Sequence, residues 1–307
     1  MINVLILGSN SFIGSHLAAT IAAGNNASLT VFGRTAKENL PAGVKFIRGD
    51  YTDREQLGAA LKGQDLVYHF ISQSYPFSTW ENPVDELDRN IRPFIQFIEL
   101  CYQSGVKKIA YISSGGAMYG PNETAADETT PPRPYTPYGI SKLYMENLLG
   151  YGKVKYRIAY DIYRISNVYG DNQVTQKGLG FIHAAVESAL KGTAVTVYGD
   201  GVNTRDYIYI DDVSRLLMLS IVKPIDHSDI YNLCSNESVS LLSILDIMRE
   251  KLGLTFTVEY KPGRQSDATA VCLTNKKLLT LFPGYQLTSL EEGIRKVYHS
   301  LSKQQLS

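Results

Sequence analysis

Tyr138 and Lys142 stand one helical turn apart in Pro137-Tyr138-Gly139-Ile140-Ser141-Lys142, which places a phenol and an ammonium on one helix face. Such a pair can move a proton. A phenol with an ordinary pKa of about 10 is a poor base at neutral pH, and an adjacent cation favours the phenolate and draws that pKa down. The same spacing occurs on plain solvated helices, so its meaning depends on the elements around it.

The first of those elements opens the chain. Ile2-Asn3-Val4-Leu5-Ile6-Leu7 is a short apolar run, followed at once by Gly8-Ser9-Asn10-Ser11-Phe12-Ile13-Gly14-Ser15-His16-Leu17. This predicts a strand, a tight glycine turn and a helix, the layout of a dinucleotide fingerprint. Gly8 permits the turn, Gly14 lets the helix pack closely on the strand, and the first helical amides face a pyrophosphate. Ser11 stands where a middle glycine would let backbone approach phosphate; its hydroxyl can itself donate to a phosphate oxygen.

Further strands are predicted over 28–32, 44–47, 65–71, 108–113 and 160–165, with helical stretches between them. Alternation of this kind implies a Rossmann-type, doubly wound parallel α/β sheet, with ligands beyond the carboxyl ends of its strands. After Asn167 the pattern loosens. Short strand-like pieces surround Gly199-Asp200-Gly201, amphipathic helices are predicted over 241–252 and 290–301, and a strand over 256–260. The expected division is a dinucleotide-binding domain over 1–168, rejoined by about 206–232, and a smaller C-terminal α/β substrate-binding domain over 169–205 and 233–307.

Composition narrows the function classes. The 307 residues are 44% apolar and 20% charged, ordinary for a globular enzyme. Thirty basic and thirty acidic side chains cancel, so no global field points to nucleic acid or an anionic membrane. Cys101, Cys234 and Cys272 are scattered and odd in number, which predicts a reducing compartment, the cytoplasm, and no metal site. The N-terminal apolar run is too short for a signal segment or a membrane span.

Taken in order, several stretches carry a resemblance: the glycine turn, Gly49-Asp50-Tyr51-Thr52-Asp53, Ser113-Ser114-Gly115-Gly116-Ala117-Met118-Tyr119-Gly120, and the Tyr138/Lys142 pair. Arg164-Ile165-Ser166-Asn167-Val168-Tyr169-Gly170, Tyr198-Gly199-Asp200-Gly201-Val202-Asn203-Thr204-Arg205-Asp206-Tyr207-Ile208 and Pro262-Gly263-Arg264-Gln265-Ser266-Asp267 complete the set. Together they resemble the extended short-chain dehydrogenase/reductase superfamily, and within it the nucleotide-sugar epimerases and dehydratases, over nearly the whole chain.

The resemblance implies roles. Tyr138 would take a proton from a sugar hydroxyl while hydride leaves the same carbon for a nicotinamide, and Lys142 would hold the cofactor ribose and keep the tyrosine acidic. Gly8, Ser11, Phe12, Ile13 and Gly14 would cradle the dinucleotide, Asp50 and Tyr51 would lie against its adenine, and Phe70, Ile71 and Ser72 would line its groove. Asn167, Arg205 and Arg264 would grip the diphosphate of the substrate, because a planar guanidinium pairs bidentately with phosphate oxygens. A homodimer is implied as well.

Three departures bear on the reaction. The family usually carries a Ser or Thr hydroxyl at the position of Gly115; Ser114 is the expected substitute, turned inward by the glycine-rich strand end. The Asp-Glu pair that dehydratases use for elimination is replaced by Gly116 and Ala117, which disfavours dehydration. Where NAD enzymes of the family end the second strand in an Asp for the ribose hydroxyls, this chain has Gly33 and Arg34, so a ribose 2'-phosphate is tolerable. The likeness leans to NAD and the residues to NADP. The reading is a nucleotide-sugar epimerase, an isomerase acting at carbon four of a UDP-hexose. The alternatives are an NADPH-dependent reductase of a nucleotide-linked keto sugar and a non-catalytic dinucleotide-binding sensor.

Overall fold

Apolar runs that must be covered on both faces set the centre of the fold. In β1 (Ile2–Leu7) every residue from Val4 to Leu7 is fully buried. It pairs in parallel with β2 (Ala27–Gly33) on one side and, once β3 (Lys45–Arg48) has extended that edge, with β4 (Leu66–His69) on the other; Val4 lies opposite both Leu29 and Leu66. The sheet continues through β5 (Lys108–Ser114) and β6 (Ala159–Ile165) to the strand Asp229–Leu233. Its seven strands run Asp229–Leu233, β6, β5, β4, β1, β2, β3, the doubly wound arrangement expected. The seventh strand was not predicted: Asp229-Ile230-Tyr231-Asn232-Leu233 carries polar residues at its start and near its end and no long apolar run. The structure, a computed structural model, describes residues 1–24, 26–36, 40–75, 82–122, 124–173, 180–263 and 270–305.

The chain divides into two units. The first comprises Met1–Met118, Pro132–Arg164 and Ser214–Tyr231. One face of its sheet is covered by the helix Arg92–Gln103, which buries Phe94, Phe97 and Ile98, and by the helix Pro137–Tyr156, which buries Met145 and Leu149 in the same core. Thr136 caps the second helix by accepting from the Gly139 amide at 3.0 Å, and Pro137 supplies a preset first-turn φ. A Cβ at Gly139 would run into the Ala117 carbonyl, so glycine is what lets this helix start close against the Gly115–Tyr119 turn. Lys108 and Asp161, both wholly inaccessible, pair at 3.0 Å between β5 and β6. The ammonium also donates to the Pro224 carbonyl and the carboxylate accepts from Ser220, which tie in the returning segment.

The second unit comprises Tyr119–Pro131, Ile165–Val213 and Asn232–Ser307. Asn167–Tyr169 pairs in parallel with Thr204–Tyr209, which pairs in turn with Ser238–Ser240; Val195–Tyr198 pairs in parallel with Val258–Lys261. Asn167–Tyr169 finds its backbone partners within this unit. The same pairings hold the Thr204–Tyr209 strand in this unit, and the first unit resumes at Ser214. Tyr119–Pro131 belongs here for a similar reason, with Ala126 bonded through its backbone to Cys272 and Thr274.

Candidate active site

The glycine turn has the geometry its residues predict. Gly8 sits at φ +86°, the Ser11 amide donates to its carbonyl at 3.0 Å, and a Cβ on Gly14 would collide with that same carbonyl oxygen. Ser11 caps the helix Phe12–Gly24 by accepting from the Gly14 amide at 3.1 Å. The serine that replaces a glycine thus satisfies one first-turn amide; those of Phe12 and Ile13 have no acceptor within the helix. Phe70 and Ile71, just past β4, bound the space above Gly8, and the Phe70 amide is held by the Leu7 carbonyl. Ser72 is exposed, with its hydroxyl donating to the Ser74 carbonyl. A glycine turn without room for a Cβ and a helix end with open amides fit a dinucleotide pyrophosphate.

At the carboxyl ends of β2 and β3, Arg34 is exposed, and its carbonyl accepts from the Arg48 guanidinium at 3.1 Å. Gly33 has open space where a side chain would stand. Asn10 of the glycine turn donates to the Thr35 carbonyl, which holds this loop in place. Asp50 accepts from the Thr52 amide and hydroxyl at 2.8 and 2.7 Å; these bonds, with a smaller contribution from Arg34, hold its carboxyl below the ordinary range. Tyr51 turns its ring inward, its hydroxyl 2.9 Å from His69 Nε2, so what it can present to an adenine is main chain. Burial, with Lys142 nearby, brings His69 down to about 3 and keeps it neutral.

The catalytic candidates meet where β5 ends. A regular strand would point Ser114 away from Ser113, but the strand stops at Ser114 and a helical turn begins at Gly115. Ser114 takes the capping position, accepting from the Ala117 amide at 3.4 Å, and its hydroxyl lies near enough to the Tyr138 phenol to act on it in the lowering direction. Lys142 is buried; its ammonium donates to the Ile112 carbonyl at 3.1 Å and lies 5.0 Å from the centroid of the Tyr111 ring. Burial lowers Lys142 to about 8 against the opposing pull of Glu86 and Glu146. The expectation that Tyr138 is acidified is corrected: burial, followed by the charge of Glu86, raises it, and the Ser114 bond only partly offsets this.

Sequence reasoning passed over the neighbours of this pair. Glu86, Asn90 and Ser141 form a buried hydrogen-bonded group beside it, and Glu146, one turn beyond Lys142, is paired with Arg164 of β6 at 2.8 Å in a buried bridge. Arg164 and Ser141 stand in recognisable stretches; a Glu and an Asn four residues apart after Pro83 give no sign of burial.

In the second unit, Asn167 and Arg205 come from paired strands, Asn167 lying in register with Tyr207. The Asn167 side chain donates to the Asp206 carbonyl at 3.0 Å, and the half-buried Arg205 guanidinium donates to the Thr204 carbonyl at 2.8 Å. Asp206 is buried and accepts from the Ser235 amide at 2.8 Å. Arg264 lies outside the described residues.

Residues 4–234 match the NAD dependent epimerase/dehydratase family. The chain is 30% identical, over 96% of each sequence, to a putative UDP-glucose 4-epimerase of Methanocaldococcus jannaschii. It resembles the Thermus thermophilus UDP-glucose 4-epimerase solved in complex with NAD, with a TM-score of 0.89 and 31% identity over 98% of this chain and 99% of that one. It likewise resembles the Thermotoga maritima UDP-glucose 4-epimerase solved with UDP-glucose, with a TM-score of 0.90 and 29% identity over 99% and 100% of the two chains. A fingerprint turn without room for side chains, a Tyr-Lys pair meeting Ser114, and a likeness running from end to end lead to one family: the chain belongs to the NAD dependent epimerase/dehydratase family.

Proposed function

We propose that this protein is a nucleotide-sugar epimerase that inverts carbon four of a UDP-hexose with a bound NAD. The observation that carries the reading is the meeting of Ser114, Tyr138 and Lys142 at the end of β5, in the unit that holds the glycine turn. Bound NAD would supply the acceptor for a hydride from carbon four of the sugar and the source of its return. Tyr138 accepts the hydroxyl proton and gives it back, Ser114 holds the reacting oxygen, and the Lys142 ammonium binds the cofactor ribose. Gly116 and Ala117 offer no carboxylates for elimination. Asn167, Arg205 and Arg264 hold the diphosphate. The relatives named as UDP-glucose 4-epimerases support UDP-glucose as the first substrate to try.

NADP is the second dinucleotide to test, because β2 ends in Gly33 and Arg34 with no carboxylate to repel a 2'-phosphate. A homodimer fits the exposed Ile140, Tyr144, Tyr151 and Val154, which share one face of the helix Pro137–Tyr156. Three cysteines outside any disulfide suit the cytoplasm.

UDP-glucose incubated with the protein and no added reductant should settle to a mixture of the two C4 epimers. Stoichiometric NADPH consumption with a keto sugar, and an untouched UDP-hexose, would replace this reading with a reductase. Bound dinucleotide without either reaction would point to a sensor.

A further inference from the structure

Glu86 is a buried carboxylate, 3% exposed, for which the reaction outlined above has no use. It ends the short turn Val84–Glu86, is followed by the π-turn Leu87–Ile91, and that turn leads into a helix with Pro93 in its first turn. A π-turn places one extra residue in the helical ladder, a feature frequent at functional sites.

Its partners join two parts of the candidate site. Oε2 accepts from the Ser141 hydroxyl at 2.7 Å, on the helix that carries Tyr138 and Lys142, and from the Asn90 amide at 3.0 Å. Asn90 in turn accepts from the Gln73 amide at 2.9 Å and donates to the Ser74 hydroxyl at 3.0 Å, holding the loop that leaves β4. Oε1 is buried with no hydrogen-bond partner among the described residues. A carboxylate with one uncommitted oxygen away from water is costly unless a cation compensates it.

Among the described residues, the charged and titratable groups around it are few. From the helix Pro137–Tyr156 come Tyr138, Lys142 and Glu146; from β5 comes Tyr111; His69 of β4 is neutral. Glu146 is committed to its bidentate bridge with Arg164 and adds a further pull on Lys142 after that of Glu86. Among the described residues, Lys142 is therefore the cation in this group left for Glu86, which acts on it through its field rather than by direct ion-pair contact.

Building on the assignment of Tyr138 and Lys142 as the proton-transfer pair, we propose that Glu86 is a positioning residue for them. Its carboxylate is the counter-charge that holds Lys142 as an ammonium in a buried site, and its bonds to Ser141 and Asn90 fix the base helix against the β4 loop. The direction of the field agrees: Glu86 raises both Lys142 and Tyr138, opposing the burial that lowers the lysine.

The test compares Glu86→Gln, which keeps shape and removes charge, with Ser141→Ala, which removes the tie and keeps the charge. Dinucleotide affinity and turnover are measured against pH for both. In Glu86→Gln the alkaline loss of affinity should move down by about one pH unit, and the acid limb of turnover in the same direction, because a negative charge stabilises both protonated groups. Ser141→Ala should lower turnover without moving either limb. Limbs that stay in place in Glu86→Gln would reduce Glu86 to a structural tie and overturn the proposal. In the wild-type protein, the Lys142 amine can be followed by NMR of isotope-labelled lysine, assigned with Lys142→Arg; a neutral amine at pH 7 would also overturn it, whatever the variants do. Tyr138→Phe keeps the two readings distinguishable. Retained turnover there defeats the proton-transfer assignment, whereas lost turnover with unmoved limbs in Glu86→Gln defeats only the role of Glu86.

Discussion

The Lys142 ammonium lies 5.5 Å from the centroid of the Tyr138 ring, over its face. That contact turns a spacing of four residues into an electrostatic pair. Tyr138→Phe removes only the hydroxyl and keeps the ring packed, so turnover should fall by roughly 10²- to 10⁴-fold while dinucleotide affinity stays close to wild type. Ser114→Ala should also lower turnover, through loss of the hydroxyl that meets the phenol. Full activity in the Phe variant, measured by epimer ratio over time, would remove Tyr138 from the chemistry.

Arg34, exposed at the end of β2, can be tested for a part in dinucleotide choice. If its guanidinium meets a 2'-phosphate, Arg34→Ala should weaken NADP by about 1.5–3 kcal/mol, the loss of a charge-assisted hydrogen bond, and leave NAD nearly unchanged. Calorimetry with both dinucleotides reads this directly. Equal losses for the two would make Arg34 an ordinary surface cation.

UDP should protect the protein against heat, by about 2.7 kcal/mol at a concentration roughly one hundred times its dissociation constant. Arg205→Ala or Arg264→Ala should erase most of that protection, since the phosphate oxygens lose a bidentate partner. An unchanged UDP-dependent rise in Tm in both variants would move the diphosphate elsewhere.

Lys108→Met alone strands the Asp161 carboxylate, which sits at 0% exposure, and should cost about 3–5 kcal/mol of stability. Adding Asp161→Leu should recover much of it, because the desolvated charge is then gone too. Denaturant titration of the single and double variants checks the sign. A double variant no better than the single would mean that the bonds to Ser220 and Pro224, rather than the ion pair, hold this part of the sheet.

His69 is held at about 3 against an ordinary 6.5, so the unfolded chain binds a proton over that interval and the native one does not. Stability should therefore fall as pH drops below 6.5, with this residue contributing at most about 1.4 kcal/mol per pH unit. In His69→Phe, which suits the surrounding Phe94 and Phe97 rings, the decline between about pH 6.5 and 4 should be shallower. Parallel stability curves for the two proteins would assign the acid sensitivity to other groups.

The amino-acid sequence by itself determined the features that are local. Strand and helix alternation follows from apolar periodicity, the fingerprint turn from Gly8 and Gly14, and the Tyr138-Lys142 face from about 3.6 residues per turn; each can be read within a short window of chain. Arg34 and the empty Gly116-Ala117 positions were legible for the same reason. Tertiary structure decided what depends on distant segments. Ser114 meets Tyr138 because β5 stops where Gly139 lets another helix crowd against Ala117, a contact between residues 22 positions apart. The seventh strand is defined by a place at the edge beside β6 rather than by its own composition. Tyr138 is raised rather than lowered because burial and the carboxylate of Glu86 act on it together. Both come from packing that places residue 86 beside residue 141, and the spacing of Tyr138 and Lys142 along one helix carries no information about either.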